Sequence, residues 1–543
     1  MKRLFIACCF AAIPLVMNAQ KTAAPLPITV GTDIAVVSTE QGKVRGYIHN
    51  GTYTYKGIPY AQAKRFQQPT KAASWEGVRS SLTYGPVCPL VTPTTQVNDE
   101  TEFPFHHDWG YPNEDCLRLN IWTQGVNDGK KRPVMFWIHG GGYTGGSSQE
   151  LPSYDGENIS KKGDVVLVSV NHRLNILGFL DLSEFGDKYK ASANVGMIDL
   201  VAALEWVKAN IANFGGDPNN VTIFGQSGGG GKVTTLMNAP SAKGLFHKAI
   251  VQSGIWADFQ DPAITKRIGA ALLTELGLIP SKVDSIQKIP YDKLAAAGTR
   301  ALQKVREQLS AEGKPVAGFR FGWSPVLDGN FLPFQPTEAK ALTLSDNVPL
   351  LIGSTKNEFM ASLRNPALRK GTAEDVRAHL QKIYGDKTDA YIAAVKKAYP
   401  ADTRPTDLAD IDGMFRPGMV TQANIKSGSA SAPVFMYLFT WQSPIFGGDF
   451  KAVHCMEIPF VFNNIARCEE MTGGGKDAHV LADKMSQSWI NFARSGNPAH
   501  KGLPAWPNYT AAGGATMFFD LQCVVKNHHD REVLEFFVTG PRL

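Results

Sequence analysis

Ser227 lies in Gly225-Gln226-Ser227-Gly228-Gly229, a G-x-S-x-G run between an apolar segment at 221–224 and a stretch with Val233, Leu236 and Met237 at helical spacing. A serine in so sharp a strand-to-helix turn needs glycine two positions to either side, because a side chain at 225 or 229 would meet neighbouring backbone. The turn presents the hydroxyl at the strand tip and aims the 228 amide at whatever the hydroxyl attacks. The pentapeptide alone also fits a plain turn or a phosphate loop. A Walker-type loop, however, requires G-x-x-x-x-G-K-[ST], and Val233 follows Lys232 where the hydroxyl residue would be.

A serine hydroxyl is too weak an acid to attack unaided. It needs a neutral imidazole to take its proton and a carboxylate to orient that imidazole, in the chain order Ser, acid, His for this kind of turn. Glu358 follows the apolar run at 349–353, and His454 follows the one at 434–440. Upstream, the apolar run at 133–139 leads into Gly140-Gly141-Gly142-Tyr143, where glycine amides can face a cavity with no side chain in the way and receive an oxyanion.

The elements that must position these residues are legible as periodicities. Residues 33–60 read as antiparallel strands with tight turns, 114–122 as an alternating strand, and 133–139 and 164–170 as buried strands. Residues 194–214 read as an amphipathic helix with Leu200, Leu204, Val207 and Ile211 on one face. Further strands at 247–252, 349–353 and 434–440 and a closing helix at 479–494 complete the alternation of a mostly parallel sheet with crossover helices. Ligands of such sheets lie at the carboxyl ends of the strands, where Gly141 and Ser227 both fall. Residues 262–320 and 364–400 read as helical insertions, surface helices or lid, in one domain spanning 20–543.

Residues 1–19 carry a basic start, an apolar core and a small-residue end at Ala19, the pattern of a signal peptide, so a secreted or periplasmic chain without a membrane anchor is expected. Its removal takes Lys2 and Arg3 away and the formal charge from +6 to +4, too mild for a nucleic-acid partner. Five cysteines then remain, Cys88, Cys116, Cys455, Cys468 and Cys523, none spaced as a zinc site. An odd number leaves at least one thiol free or shared between chains.

GQSGGG around Ser227, EDCLRLNIW at 114–122, HGGGY at 139–143, GSTKNEF at 353–359 and HCMEIPFVF at 454–462 together resemble the type-B carboxylesterase family, which includes the cholinesterases. The resemblance extends over about 35–510. It implies the α/β-hydrolase fold, with a large mixed, mostly parallel sheet and N-terminal antiparallel strands. It also implies Ser227 as nucleophile, His454 as general base and acid, Glu358 as orienting carboxylate, Gly141, Gly142 and Gly228 as oxyanion donors, and a Cys88–Cys116 disulfide. No metal or cofactor is implied; the partner is a small-molecule ester, and the chain a monomer or homodimer.

Three positions depart from the family pattern: Gln226 where Glu is frequent, Gly228 where Ala is, and Phe359 where Gly is. Without the charge at 226 a choline ester is a poor guess. Polycarboxylate, feruloyl or tannin-type and lipid esters stand as alternatives, as does a non-catalytic binding module. Asp328 is the rival acid, although its Asp-Gly pair reads as a turn. His139 and His172 read as structural, and His247 has no signalled partner. Tyr143, Gln226 and Trp256, with Phe103, Phe105 and Trp109, are candidate pocket residues. Activity should fall as pH drops through roughly 6.5, where an ordinary imidazole protonates.

Overall fold

Along Arg132–Ile138, Val134, Phe136 and Ile138 enter one apolar cluster while Met135 and Trp137 enter another, and all five are buried. A strand covered on both faces has no solvent side, so its sequence is continuously apolar rather than alternating. The same division holds at Leu350 and Ile352 against Leu351, and at Val434 and Met436 against Phe435 and Tyr437. These strands belong to the middle layer of a computed structural model that describes residues 27–90, 99–254, 258–316, 321–429 and 431–539.

Among the described residues the central sheet comprises β1 (Ile28–Thr29), β2 (Tyr47–His49), β3 (Thr52–Pro59), β4 (Arg118–Thr123), β5 (Arg132–Ile138), β6 (Val166–Val170), β7 (Gly216–Gln226), β8 (Lys248–Gln252), β9 (Leu350–Thr355), β10 (Val434–Phe439), β11 (Ala515–Phe519) and β12 (Val524–Asn527). In space the order is β1-β2-β3-β4-β6-β5-β7-β8-β9-β10-β11-β12. Neighbours from β6 to β11 are parallel. The N-terminal strands up to β4, the β4–β6 pair and β12 are antiparallel. Helices cover both faces, among them Val195–Asn210 on one side and Lys476–Ser495 on the other.

Two elements differ from their expected form. The strand expected to alternate at 114–122 is β4, and all six of its residues are buried. Its polar positions are consumed internally: Asn120 Nδ2 donates to Ser148 and Ser169 hydroxyls, both at 3.0 Å. The helix Val195–Asn210 is buried around most of its circumference, because the N-terminal strands cover the side expected to face water; Trp206 Nε1 donates to Gln41 Oε1 at 3.2 Å.

The insertions are helical as read, with Pro262–Glu275 and Tyr291–Ala311 in the first and Ala373–Tyr384 and Thr388–Ala398 in the second. No described helix is long and apolar enough to cross a membrane.

Candidate active site

β7 ends at Gln226 and the helix Gly228–Met237 begins at once, so the turn is one residue, Ser227, at φ 58° and ψ −124°. A positive φ strains a non-glycine residue, and its neighbours hold it there. Ser227 N–H donates to Gln252 O at 2.9 Å and Gly231 N–H to Ser227 O at 3.0 Å. A Cβ at Gly225 would stand 2.6 Å from Ile138 O, and one at Gly229 only 2.0 Å from the same atom. Both glycines are therefore demanded by β5, the strand alongside.

Beyond β9 and β10 the chain makes a short parallel pairing: Asn357 N–H donates to Ala452 O and His454 N–H to Glu358 O, each at 3.1 Å. The Asn357 side chain closes it, donating to Asp410 O at 2.9 Å and accepting Ala452 N–H at 3.3 Å. This register sets imidazole against carboxylate. His454 Nδ1 hydrogen-bonds Glu358 Oε2, and Glu358 Oε1 accepts Thr355 N–H at 2.9 Å.

Burial disfavours the imidazolium, but the adjoining Cys455 thiol and the Glu358 carboxylate outweigh it and hold the His454 pKa well above the ordinary histidine range. Burial, reinforced by the charge of Glu358, pushes the neighbouring Glu457 and Asp412 up to about 7.

Ser227 and His454 line one cavity of about 480 Å³, with Gly140, Gly141 and Gly142 along its wall. Gly141 and Gly142 sit at φ 79° and 63°, conformations that favour glycine. Among the described residues neither of their amides has an acceptor, and the Gly228 amide opens a helix, where no intrahelical acceptor exists. Gly141 and Gly142 thus line the cavity with Ser227, and Gly228 follows the serine directly. The remaining walls include Leu90, Phe105, Trp109, Leu151, Phe359 and Phe415; no described lining residue is Arg or Lys. Phe359 and Phe415 also pack on the His454 ring, with centroids 4.5 and 5.2 Å away.

Other expected site residues sort by contact. Gln226 lines the cavity, its Nε2 3.3 and 3.4 Å from the two His454 ring nitrogens and its Oε1 accepting the Cys455 thiol at 3.2 Å. Tyr143 does not line it: its hydroxyl meets Thr235 Oγ1 at 3.3 Å and its ring stands edge-on to Phe179, which draw it away from the glycines. Phe103 is half-exposed against Phe446 instead of lining the cavity. Trp256 lies outside the described residues.

Asp328 is spent on its own turn, accepting Asn330 and Leu332 amides at 3.0 and 2.9 Å. His247 Nδ1 accepts Val221 N–H at 3.1 Å, a structural role. Cys88 and Cys116 stand as two buried thiols with no disulfide bond between them in this structure. The adjoining Cys88 side chain and burial push the Cys116 thiol well above its ordinary range, and Cys88 Sγ accepts Leu174 N–H at 3.2 Å.

No described residue of 262–316 or 364–400 is among those lining the cavity. Sequence reasoning missed Glu150, Tyr154 and Phe415, which do line it. Glu150 accepts Ser147 N–H at 3.1 Å and the Tyr154 hydroxyl at 3.0 Å, and burial pushes it up to about 7. A carboxylate eight residues past a glycine loop carries no pattern that would have marked it. Among the described residues no group of three or more His, Cys, Asp or Glu is placed to hold a metal ion.

A mostly parallel sheet clad in helices on both faces, with a serine elbow at the end of a central strand, defines the α/β-hydrolase fold. The profile of the Carboxylesterase family matches residues 33–537, and the chain belongs to that family: it is a carboxylic ester hydrolase. It is 34% identical over 505 residues to the para-nitrobenzyl esterase of Bacillus subtilis, covering 92% of this chain and 97% of that one. It is 29% identical over 514 residues to the fumonisin B1 esterase of Sphingopyxis macrogoltabida, covering 91% and 89%. Among solved structures, an esterase from anaerobic Clostridium hathewayi that can hydrolyze aliphatic aromatic polyesters superposes with a TM-score of 0.81 at 37% identity, covering 94% of this chain and 99% of that one.

Proposed function

We propose that the chain hydrolyses apolar and aryl carboxylic esters through an acyl-enzyme on Ser227. His454 takes the hydroxyl proton as Ser227 Oγ bonds to the carbonyl carbon, and the carbonyl electron pair moves onto oxygen, facing the Gly141, Gly142 and Gly228 amides. The C–O bond to the alcohol then breaks and His454 returns the proton to the leaving oxygen. Water repeats the sequence on the acyl-enzyme, releasing acid and free serine. Glu358 keeps the His454 tautomer and stabilises the imidazolium.

The observation that carries this reading is the shared cavity of Ser227 and His454, with Glu358 bonded to Nδ1 of the imidazole. Replacing Ser227 with Ala should lower kcat on a p-nitrophenyl ester by on the order of 10⁴ to 10⁶ and abolish fluorophosphonate labelling. Retention of either in S227A refutes the assignment, whereas a parent protein that neither turns over the ester nor takes the label favours the non-catalytic alternative.

The aromatic walls and the lack of Arg or Lys among the described lining residues favour apolar and aryl esters over polycarboxylate esters. That agrees with what the Bacillus and Clostridium relatives are named for. A panel varying acid and alcohol separately ranks the two classes; preference for a tricarballylic over a benzoic ester reverses the reading. Residues 1–19 fit an export signal, and the thiols of Cys88 and Cys116 would be joined in the oxidising compartment it leads to. N-terminal sequencing and thiol counting on exported protein test both.

A further inference from the structure

Beneath the glycine loop lies a titratable side chain that the reaction above does not use. Lys232, on the helix that follows the serine, is fully buried. Its ammonium donates to His139 O at 3.1 Å and to Gly140 O at 3.4 Å. His139, equally inaccessible, donates its Nδ1–H to the same Gly140 O at 3.0 Å. Gly146 brings the next part of the loop onto this point: a Cβ there would stand 2.6 Å from His139 Nδ1, 2.8 Å from Gly140 O and 3.2 Å from Glu150 Oε2. Burial lowers the Lys232 ammonium to about 7 while nearby Glu150 acts in the opposite direction, and the other titratable neighbours are His139, His172 and Cys88.

The Gly140 carbonyl and the Gly141 N–H belong to one planar trans peptide, in which C=O and N–H point in opposite directions. Two donors that pin the oxygen on the protein side therefore aim the Gly141 N–H at the cavity. Donation to the oxygen also polarises the peptide, most strongly when the lysine is protonated, strengthening its N–H as a donor. A negative charge that develops near Gly141 in the transition state feels this, while a neutral ester carbonyl feels much less of it.

We propose that Lys232 is a positioning residue for the oxyanion loop, fixing and polarising the Gly140–Gly141 peptide so that its amide stabilises the tetrahedral oxyanion. The inference rests on the reading of Gly141 as an oxyanion donor. Its consequence is selective for the transition state: kcat depends on Lys232, and KM does not.

The test compares Lys232→Met, which keeps the length and removes the donor, with Lys232→Gln, which keeps one donor without charge. On p-nitrophenyl butyrate, Lys232→Met should lower kcat by about 10- to 100-fold with KM nearly unchanged. Affinity for a trifluoromethyl ketone, which forms a tetrahedral adduct on the serine, should fall in proportion, and Lys232→Gln should recover part of both.

A folded Lys232→Met with kcat within about twofold of the parent, or a loss confined to KM, overturns the proposal. Should Lys232→Met not fold, Lys232→Gln decides by the same two criteria; failure of both to fold marks the lysine as purely structural and also overturns it. The esterase reading fails separately, through an active Ser227→Ala.

Discussion

Gly228 lacks the methyl group that alanine would bring, and the reason lies across the cavity. A Cβ at 228 would stand 2.2 Å from Gly142 O and 2.4 Å from Gly142 N and Cα, so the glycine loop rests on residue 228 more closely than an alanine permits. Gly228→Ala must push the loop away from the serine. A backbone overlap of this kind costs about 1 to 3 kcal/mol, and a displacement near 1 Å at reacting groups lowers rates by roughly 10²-fold. Steady-state kinetics on Gly228→Ala should therefore show a large fall in kcat despite the family's frequent alanine; an unchanged kcat would mean that the loop has slack.

The second prediction at this scale concerns His454, which must be neutral to accept the serine proton. Its pKa is raised, so kcat/KM should decline as pH falls through a midpoint above the ordinary value of roughly 6.5. Cys455 and Glu358 together raise it, and Glu358→Gln removes the carboxylate's share. The midpoint should then move to lower pH while kcat drops by on the order of 10³ to 10⁴, because the tautomer is no longer held. A limb unmoved by that substitution assigns the titration to another group.

Between elements, the loops after β9 and β10 depend on one another. Asn357 bridges them through Asp410 O and Ala452 N–H, and its loss leaves two buried backbone groups unpaired. Asn357→Ala should destabilise by about 2 to 4 kcal/mol in urea unfolding and lower kcat in the fraction that stays folded. Wild-type kcat with lowered stability would show that the Glu358–His454 register survives without the bridge.

This coupling also explains which parts of the site could be read from the chain. Ser227, Glu358 and His454 follow local rules, glycines at fixed offsets and polar residues just past apolar strands, so their order along the sequence suffices. Phe415 sits on a loop and Tyr154 on the short 3-10 helix Pro152–Tyr154, whose paths are set by tertiary contacts, and Tyr143, adjacent to the glycines, is turned away by Phe179 and Thr235. Periodicity likewise found the helix Val195–Asn210 and misjudged its outer face, because nothing local announces that Gln41 and its strand neighbours will cover it.

At the scale of the molecule, the segment ahead of β4 is anchored through one buried ion pair. Arg173 donates from Nε and Nη2 to Asp199 at 2.8 and 2.6 Å, and from Nη1 to Lys64 O and Gln67 O at 3.1 and 2.8 Å. The pair joins the loop after β6, the helix Val195–Asn210 and the N-terminal region. Desolvating two charges offsets most of their attraction, so the pair itself adds little stability. Removing one partner is different, since the survivor remains buried without its counter-charge. Asp199→Ala should cost about 3 to 5 kcal/mol and loosen residues 61–67 first, whereas Arg173→Met with Asp199→Leu should recover much of that loss. Urea unfolding gives the energies, and limited proteolysis locates the loosening. A double variant no more stable than Asp199→Ala would mean that the carbonyls of Lys64 and Gln67, rather than the aspartate, are the contacts the arginine is there to make.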